Sequence, residues 1–302
     1  MRLPVFFTDP EFDRLRGITL MLIATLSFSG MHATIKHVSA DLHPFEIAFF
    51  RNFFGLVALF PFFIRHGLAP LKTKRIGLHF GRVGLNIGSM IAFFYAISIT
   101  PLAEVIALSF AAPIFATLLA IFFFRETVGI TRWTAIFLGF AGTIVILRPG
   151  YEAITLGPVL ALLAAMTWGS AVIIIKKLSK TDSSVTITAY MVLFMTPLSL
   201  APALFVWEWP SWEQLAWLAL IGSFGTAGHL TMNVAIKLAP TNVVMPIDFV
   251  RLIWVAIIGY FIFAEIPDIF VWIGGAMIFA SGIWIAHAEN QRRRETTEGT
   301  DD

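Results

Sequence analysis

The chain is divided into ten continuous apolar runs that are each long enough to cross a lipid bilayer as a helix. A membrane-spanning helix needs roughly 17–25 residues, whereas the strands of a membrane β-barrel appear as shorter segments of alternating polarity. The ten runs are 17–35, 45–64, 76–99, 102–124, 131–147, 156–175, 185–206, 214–236, 241–263 and 268–287. The sequence therefore predicts an all-α membrane protein with ten transmembrane helices.

The composition of the chain excludes most soluble functions. Charged residues make up 13% of its 302 residues, which is about half of the roughly 25% found in soluble domains. The linkers are too short for a catalytic domain, no phosphate-binding P-loop motif occurs, and cysteine is absent. We therefore expect no enzyme, catalytic residue, metal, cofactor or nucleic-acid partner. The expected partners are a small-molecule solute and membrane lipids, and the sequence leaves monomer and dimer open.

Lys and Arg residues are concentrated on one side of the predicted membrane helices. If the N-terminus is cytoplasmic, 16 of the 21 basic residues lie on the cytoplasmic side, and only Lys36 and Arg148 lie on the other. Cytoplasmic loops of membrane proteins carry such an excess of Lys and Arg. We therefore predict a multi-pass protein of a bacterial-type inner (plasma) membrane, with both termini in the cytoplasm.

The two halves of the chain resemble each other at a nearly constant offset. The matching segments are 20–39 with 160–179, offset by 140 residues, and 96–101 with 235–240, offset by 139 residues. Because each half contains five runs, an odd number, the second half enters the membrane upside down. Inverted repeats are typical of secondary transporters, which bind their solute near the membrane midplane. We predict two inverted five-helix repeats, 1–150 and 151–302, around a central cavity; the alternative is a duplicated membrane anchor.

A short pattern recurs near the end of each half, where a Glu is followed by a Trp seven residues later and then by two glycines. The residues are Glu126, Trp133, Gly139 and Gly142 in the first half, and Glu265, Trp272, Gly275 and Gly282 in the second. With the duplicated five-helix unit, this pattern resembles the EamA-type carriers of the drug/metabolite transporter superfamily. In that family a Gly often precedes the Glu, where this chain has Arg125 and Ala264.

The resemblance covers about residues 17–287. It implies a ten-helix basket around a central cavity, with no ATP-driven motor. It also implies a solute from a broad set: amino acids, riboflavin, S-adenosylmethionine, nucleosides, sugars and drugs.

Polar and aromatic side chains inside the runs are candidates for binding the solute, because a charge at the bilayer centre costs about 2.5–3.5 kcal/mol even on lenient scales. The candidates are Phe28, Ser29, Arg82, Asn86, Tyr95, Trp168, His229, Asn233, Asp248 and Arg251. Asp248 and Arg251 are spaced i,i+3 and therefore lie on one helix face. They could neutralise each other or line the solute site.

Each of the other main candidates also has a structural interpretation. Arg82 and Asn86, one turn apart, could form an anion site, or Arg82 could snorkel toward the membrane surface. His229 could carry a proton or only pack among its neighbours. Phe28 and Trp168 occupy equivalent positions in the two repeats, and they could stack on a flat ring or pack against other helices.

Two further features are interpreted as structural. Arg51 could pair with Glu46 in the second run, which we expect to lie outside the cavity. Pro113 and Pro246 lie within the fourth and ninth runs, and each predicts a kink. Because these prolines are not at equivalent repeat positions, we do not predict a symmetric hinge.

These features favour a secondary transporter that moves a small organic metabolite across the inner membrane by alternating access. The preferred hypothesis is export of an amino acid, for example an aromatic one. Arg251 or Arg82 would then hold its carboxylate, Asp248 its amine, and Phe28 with Trp168 its side chain. The alternative is an importer of a flat, cofactor-like solute such as riboflavin or S-adenosylmethionine.

Overall fold

The computed structural model describes residues 10–67, 71–124, 129–149, 155–239 and 241–298, which form a bundle of long helices. The helices are α1 (Pro10–Val38), α2 (Pro44–His66), α3 (Ile76–Ile99), α4 (Leu102–Ser109), α5 (Ala112–Phe124), α6 (Ile130–Leu147), α7 (Leu156–Leu178), α8 (Ser184–Ala203), α9 (Trp212–Leu238), α10 (Thr241–Val244), α11 (Val250–Phe263) and α12 (Ile269–Glu298). Nine segments of the described chain are long and apolar enough to cross a membrane, and 133–147 is a shorter apolar helix. These ten segments correspond to the ten predicted runs and confirm the all-α membrane fold.

The fourth and ninth runs are both broken near their middle. The fourth is split between α4 and α5, and the ninth passes through a 3-10 turn, Met245–Phe249, between α10 and α11. Phe110 lies in the first break and Phe249 ends the 3-10 turn, and these two residues are one repeat offset of 139 apart. Their rings pack together with centroids 5.2 Å apart. The two repeats therefore meet face to face at their broken helices.

The breaks lie at equivalent positions in the two repeats, although the prolines do not. Pro113 lies in the first turn of α5, and Pro246 lies at the start of the 3-10 turn. Proline is tolerated at such positions because the missing N–H would have no helical partner there. Each proline thus lies at or next to the break in its own run, and the breaks, unlike the prolines, are at equivalent positions of the two repeats.

Helix pairing follows the same symmetry. α1 packs along α9, and α7, the repeat counterpart of α1, packs along α3, the counterpart of α9. α2 and α6 pack along their own counterparts, α8 and α12. A Cβ on Gly142 would lie 2.6 Å from the carbonyl oxygen of Gly274, so α6 and α12 approach closely. This pattern confirms the architecture of two five-helix repeats, whose predicted boundary at 150/151 falls outside the described residues.

The two ends of the bundle differ in charge. Exposed lysines lie at the end where α1 begins and α9 finishes, which we call the basic end: Lys72, Lys74, Lys177, Lys180 and Lys237. The other end, which we call the opposite end, contains two ion pairs. Lys36 pairs with Glu265 at 2.6 Å, and Arg148 pairs with Asp268 at 3.0 Å.

Candidate solute-binding site

Two aromatic rings from equivalent positions of the two repeats pack on the same histidine. The Phe28 ring of α1 meets the His229 imidazole of α9 edge-on, with centroids 5.1 Å apart. The Trp168 ring of α7 lies 6.1 Å from the same imidazole. Phe28 can come this close because a Cβ on Gly228 would lie 2.8 Å from its ring carbon Cε1. The predicted aromatic pair is therefore brought together inside the bundle.

Asp248 and Arg251 form the ion pair that their spacing predicts. Arg251 Nη2 donates to Asp248 Oδ2 at 2.9 Å, from the first turn of α11 to the 3-10 turn before it. The guanidinium carbon of Arg251 lies 5.1 Å from the centre of the Phe110 ring and 6.0 Å from that of Phe28. Cations are attracted to such ring faces. The ion pair therefore borders the aromatic cluster at the break in the ninth run.

Arg82 does not snorkel toward the membrane surface, contrary to one of its two interpretations. Its side chain is 2% exposed. Nη1 donates to the carbonyl oxygen of Ile187 at 2.8 Å, and Nη2 contacts the Met191 sulfur at 3.4 Å, both on α8. Asn86, one turn further along α3, is also buried, and its Oδ1 has no hydrogen-bond partner within the described structure. Arg82 thus remains inside the protein, between α3 and α8.

Asn233, on α9, binds the same part of α8 as Arg82 does. Its Nδ2 donates to the hydroxyl of Thr188 at 3.2 Å. Asn233 follows His229 by one turn of α9, toward the basic end. Arg82 and Asn233 therefore contact neighbouring residues of α8, one layer closer to the basic end than the aromatic cluster.

Two candidates lie apart from the aromatic cluster. The Ser29 hydroxyl is fully buried and donates to the Thr25 carbonyl oxygen at 2.7 Å, within its own helix. The Tyr95 ring packs edge-on against His43, 6.0 Å away, on the turn between α1 and α2. Tyr95 thus lies nearer the opposite end than the cluster does.

Arg51 was not among the candidates, and its expected pairing with Glu46 is not found. It is 4% exposed, and its Nη1 donates to Asn52 Oδ1 at 3.0 Å. Glu46 instead accepts the backbone N–H of Glu208 at 2.9 Å. A Cβ on Gly225 would lie 3.0 Å from Arg51 Nε, so the guanidinium lies against α9. The second run therefore contributes a buried charge to the centre of the bundle.

His32 was also missed. It lies one turn after Phe28 and stacks on it at 6.4 Å, and its ring packs edge-on against Phe93 at 5.1 Å. The i,i+4 spacing from Phe28 was a signal that could have identified it. For Arg51, the signal was its position inside an apolar run, because an intramembrane arginine is a functional candidate by default.

Both halves of the chain match one family model. The EamA-like transporter family matches residues 15–148 and 155–286. The chain therefore belongs to the EamA-like transporter family, which confirms the resemblance drawn from the sequence, and it is a multi-pass membrane transporter.

Curated relatives cover nearly the whole chain. The S-adenosylmethionine uptake transporter of Rickettsia felis is 32% identical over 277 residues, which are 92% of this chain and 94% of the relative. The riboflavin transporter of Vibrio cholerae serotype O1 is 30% identical over 286 residues, 93% of this chain and 96% of the relative. A crystal structure that shares 15% identity superposes with a TM-score of 0.62 over 90% of this chain and 94% of that chain, which shows the same fold.

Proposed function

We propose that the chain imports a flat, ring-bearing solute of cofactor size across the bacterial inner membrane. The names of the two relatives support this alternative over the export of an amino acid. The observation that carries the proposal is the placement of Phe28 and Trp168, one from each repeat, on the imidazole of His229. Aromatic faces bind flat rings by offset or edge-on packing, and two of them suit a solute larger than an amino acid side chain.

The symmetric architecture supports transport by alternating access. The two repeats can exchange conformations, so that a central site opens first to one side of the membrane and then to the other. The proposed site lies beside the breaks in the fourth and ninth runs, where Asp248 and Arg251 present charged groups next to the ring of Phe28. We place Phe28, Trp168, His229, Asp248 and Arg251 in contact with the solute, and Asn86 and Asn233 at its edge.

Uptake into proteoliposomes tests the proposal. Purified protein is reconstituted and offered radiolabelled S-adenosylmethionine, riboflavin or tryptophan separately. We expect saturable uptake of a ring-bearing cofactor and little uptake of tryptophan. Protein that carries tryptophan but neither cofactor would support amino-acid transport instead and overturn the proposal.

A pair of tryptophan variants localises the site. Stacking of a base on an aromatic side chain is worth about 1–3 kcal/mol, so Trp168→Ala should weaken uptake affinity by roughly 5- to 150-fold. Trp209→Ala is the matched control, because that side chain is 86% exposed at the opposite end. Equal uptake by the two variants would remove Trp168 from the site.

A further inference from the structure

Two buried arginines in the centre of the bundle donate to neutral acceptors in the described structure. Arg51 donates to the amide oxygen of Asn52. Arg82 donates to the Ile187 carbonyl and the Met191 sulfur, and its Nε has no acceptor within the described structure. A buried guanidinium is costly unless an opposite charge pairs with it. The described part of the chain therefore holds two cationic groups for which it provides no paired carboxylate.

Three carboxylates of the bundle each bind a partner other than these two arginines. Asp248 pairs with Arg251. Glu46 binds the backbone N–H of Glu208 at the opposite end, and Asp182 binds His79 Nε2 at 2.8 Å at the basic end. Among the described residues, no carboxylate forms an ion pair with Arg51 or Arg82.

Measured along the axis of α9, Arg51 lies on the side of His229 toward the opposite end, and Arg82 lies on the side toward the basic end. Arg51 contacts α9 at Gly225, one turn before His229. Arg82 contacts α8 at Ile187, next to the Thr188 hydroxyl that holds Asn233, one turn after His229. The two guanidinium groups therefore contact the bundle one turn before and one turn after the level of the His229 imidazole, on which Phe28 and Trp168 pack.

Two ring nitrogens without a hydrogen-bond partner in the described structure lie beside the aromatic cluster. The Nδ1 atoms of His32 and His229 are buried and have no hydrogen-bond partner in the described part of the chain. A neutral imidazole can present an N–H at this position. Two guanidinium groups and two imidazoles would together surround an anionic group.

We infer that the transported solute carries a carboxylate or phosphate group that binds between Arg51 and Arg82, beside the ring held by Phe28 and Trp168. Arginine binds carboxylate and phosphate groups well because its planar guanidinium can donate two parallel hydrogen bonds to their oxygens. Arg251 is not assigned to the anion, because Asp248 already neutralises it. The inference rests on the proposed function and narrows its substrate class to ring-bearing anionic or zwitterionic solutes.

Matched pairs of ligands that share a ring and differ in one anionic group test the inference without any mutation. The pairs are riboflavin with riboflavin 5′-phosphate, and S-adenosylmethionine with its decarboxylated form. Affinity is measured from the ligand-induced rise in Tm of the detergent-purified protein and from competition for uptake. In whichever pair the protein binds, we expect the member with the anionic group to bind at least about tenfold more tightly than the member without it.

Arginine variants then locate the anion. Arg82→Gln and Arg51→Gln should each bring the affinity ratio of the matched pair toward one, whereas Arg82→Lys should retain part of the preference. The control is Arg16→Gln, because Arg16 is exposed near the start of α1. This ratio is insensitive to a general loss of stability, which affects both members of a pair equally.

The outcomes separate the two proposals. Equal or tighter binding of the member without the anionic group to the wild-type protein would overturn the inference and leave the import of a ring-bearing solute standing. A preference for the anionic member that both Gln variants retain would also overturn it, by placing the anion elsewhere. Failure of every ring-bearing ligand to bind would refute the proposed function and the inference together.

Discussion

Ala264 is one of two non-glycine residues with a positive φ in the described structure. It ends α11 at φ 54° and ψ 27°, in the left-handed conformation. This conformation costs an L-residue roughly 1–2 kcal/mol, whereas Gly adopts it freely. The EamA pattern often has Gly at this position, and the geometry gives the physical reason. Ala264 therefore has a strained backbone conformation, which the packing around it maintains.

Ala264→Gly should therefore stabilise the protein. Relief of the left-handed penalty exceeds the larger chain entropy of Gly, so the free energy of unfolding should rise by roughly 0.5–1 kcal/mol. The measurement is Tm in detergent. Ala256→Gly, in the interior of the same helix, is the control and should lower Tm. A fall in Tm for both variants would show that Ala264 is not strained.

Asp182, on the turn between α7 and α8, makes stability dependent on pH. Burial would raise the pKa of its carboxyl, but hydrogen bonds from His79, Thr73 and Thr181 outweigh burial and hold the pKa below its usual value of 3.8. A carboxyl whose pKa is lower in the folded state stabilises the fold above its unfolded pKa. This stabilisation is lost as the pH falls through the folded pKa.

Asp182→Asn should accordingly lower Tm near neutral pH and have progressively less effect below about pH 4. Tm measured from pH 7 to pH 3 for both proteins checks this. Asp41→Asn, on an exposed turn at the opposite end, is the control and should leave Tm nearly unchanged. A Tm difference between wild type and Asp182→Asn that stays constant with pH would contradict the assignment.

At the scale of helices, the two repeats are joined at the opposite end by ion pairs, of which Lys36–Glu265 has the more extensive contacts. Lys36 Nζ of α1 lies 2.6 Å from Glu265 Oε1 and donates to the Thr100 carbonyl at 2.7 Å. Glu265 Oε2 also accepts the backbone N–H of Leu102 at 2.9 Å, which caps the start of α4. Glu265 further lines a cavity of about 260 Å³ that extends along α4 and α11 at this end. The opposite end must separate at these contacts if the central site is to open there.

Lys36→Met should make the centre more accessible from the opposite end. The chain lacks cysteine, so a Phe93→Cys background reports access beside His32 to a membrane-impermeant thiol reagent. Losing one partner of a partly buried pair should raise the labelling rate several-fold, because the closed state loses a charge-assisted contact. Lys72→Met, at the basic end, is the control. Unchanged labelling after Lys36→Met would show that the ion pair does not hold this end closed.

The breaks in the fourth and ninth runs show what apolar patterning leaves out. Pro113 and Pro246 indicated the correct runs, and each lies at or next to the break in its run, but the two prolines are not one repeat offset apart. The equivalent residues at the two breaks are Phe110 and Phe249, whose rings pack together where the repeats meet. Contacts between helices decide where such a helix breaks, and a continuous apolar run carries little information about them.

At the scale of the whole molecule, the sequence predicted the architecture because lipid imposes rules that each run must satisfy alone. Every span must be apolar and must satisfy its own backbone hydrogen bonds, so the ten runs and their repeat are visible without knowledge of contacts. The Asp248–Arg251 pair was predictable for a related reason, since both residues belong to one helical face. The contacts of Arg51 with α9 and of His32 with α3 depend on helix packing, and they needed the structure.

The orientation of the molecule in the membrane is a prediction from its basic residues, and the two ends of the bundle offer a direct test. Lys180 is exposed at the basic end, and Trp209 is 86% exposed at the opposite end. Because the chain has no cysteine, single Lys180→Cys and Trp209→Cys variants give unambiguous labelling with an impermeant maleimide. If the excess of Lys and Arg marks the cytoplasm, Trp209→Cys is labelled in intact cells, and Lys180→Cys is labelled only after the membrane is permeabilised. The reverse pattern would place both termini outside and turn the cavity beside Glu265 toward the cytoplasm.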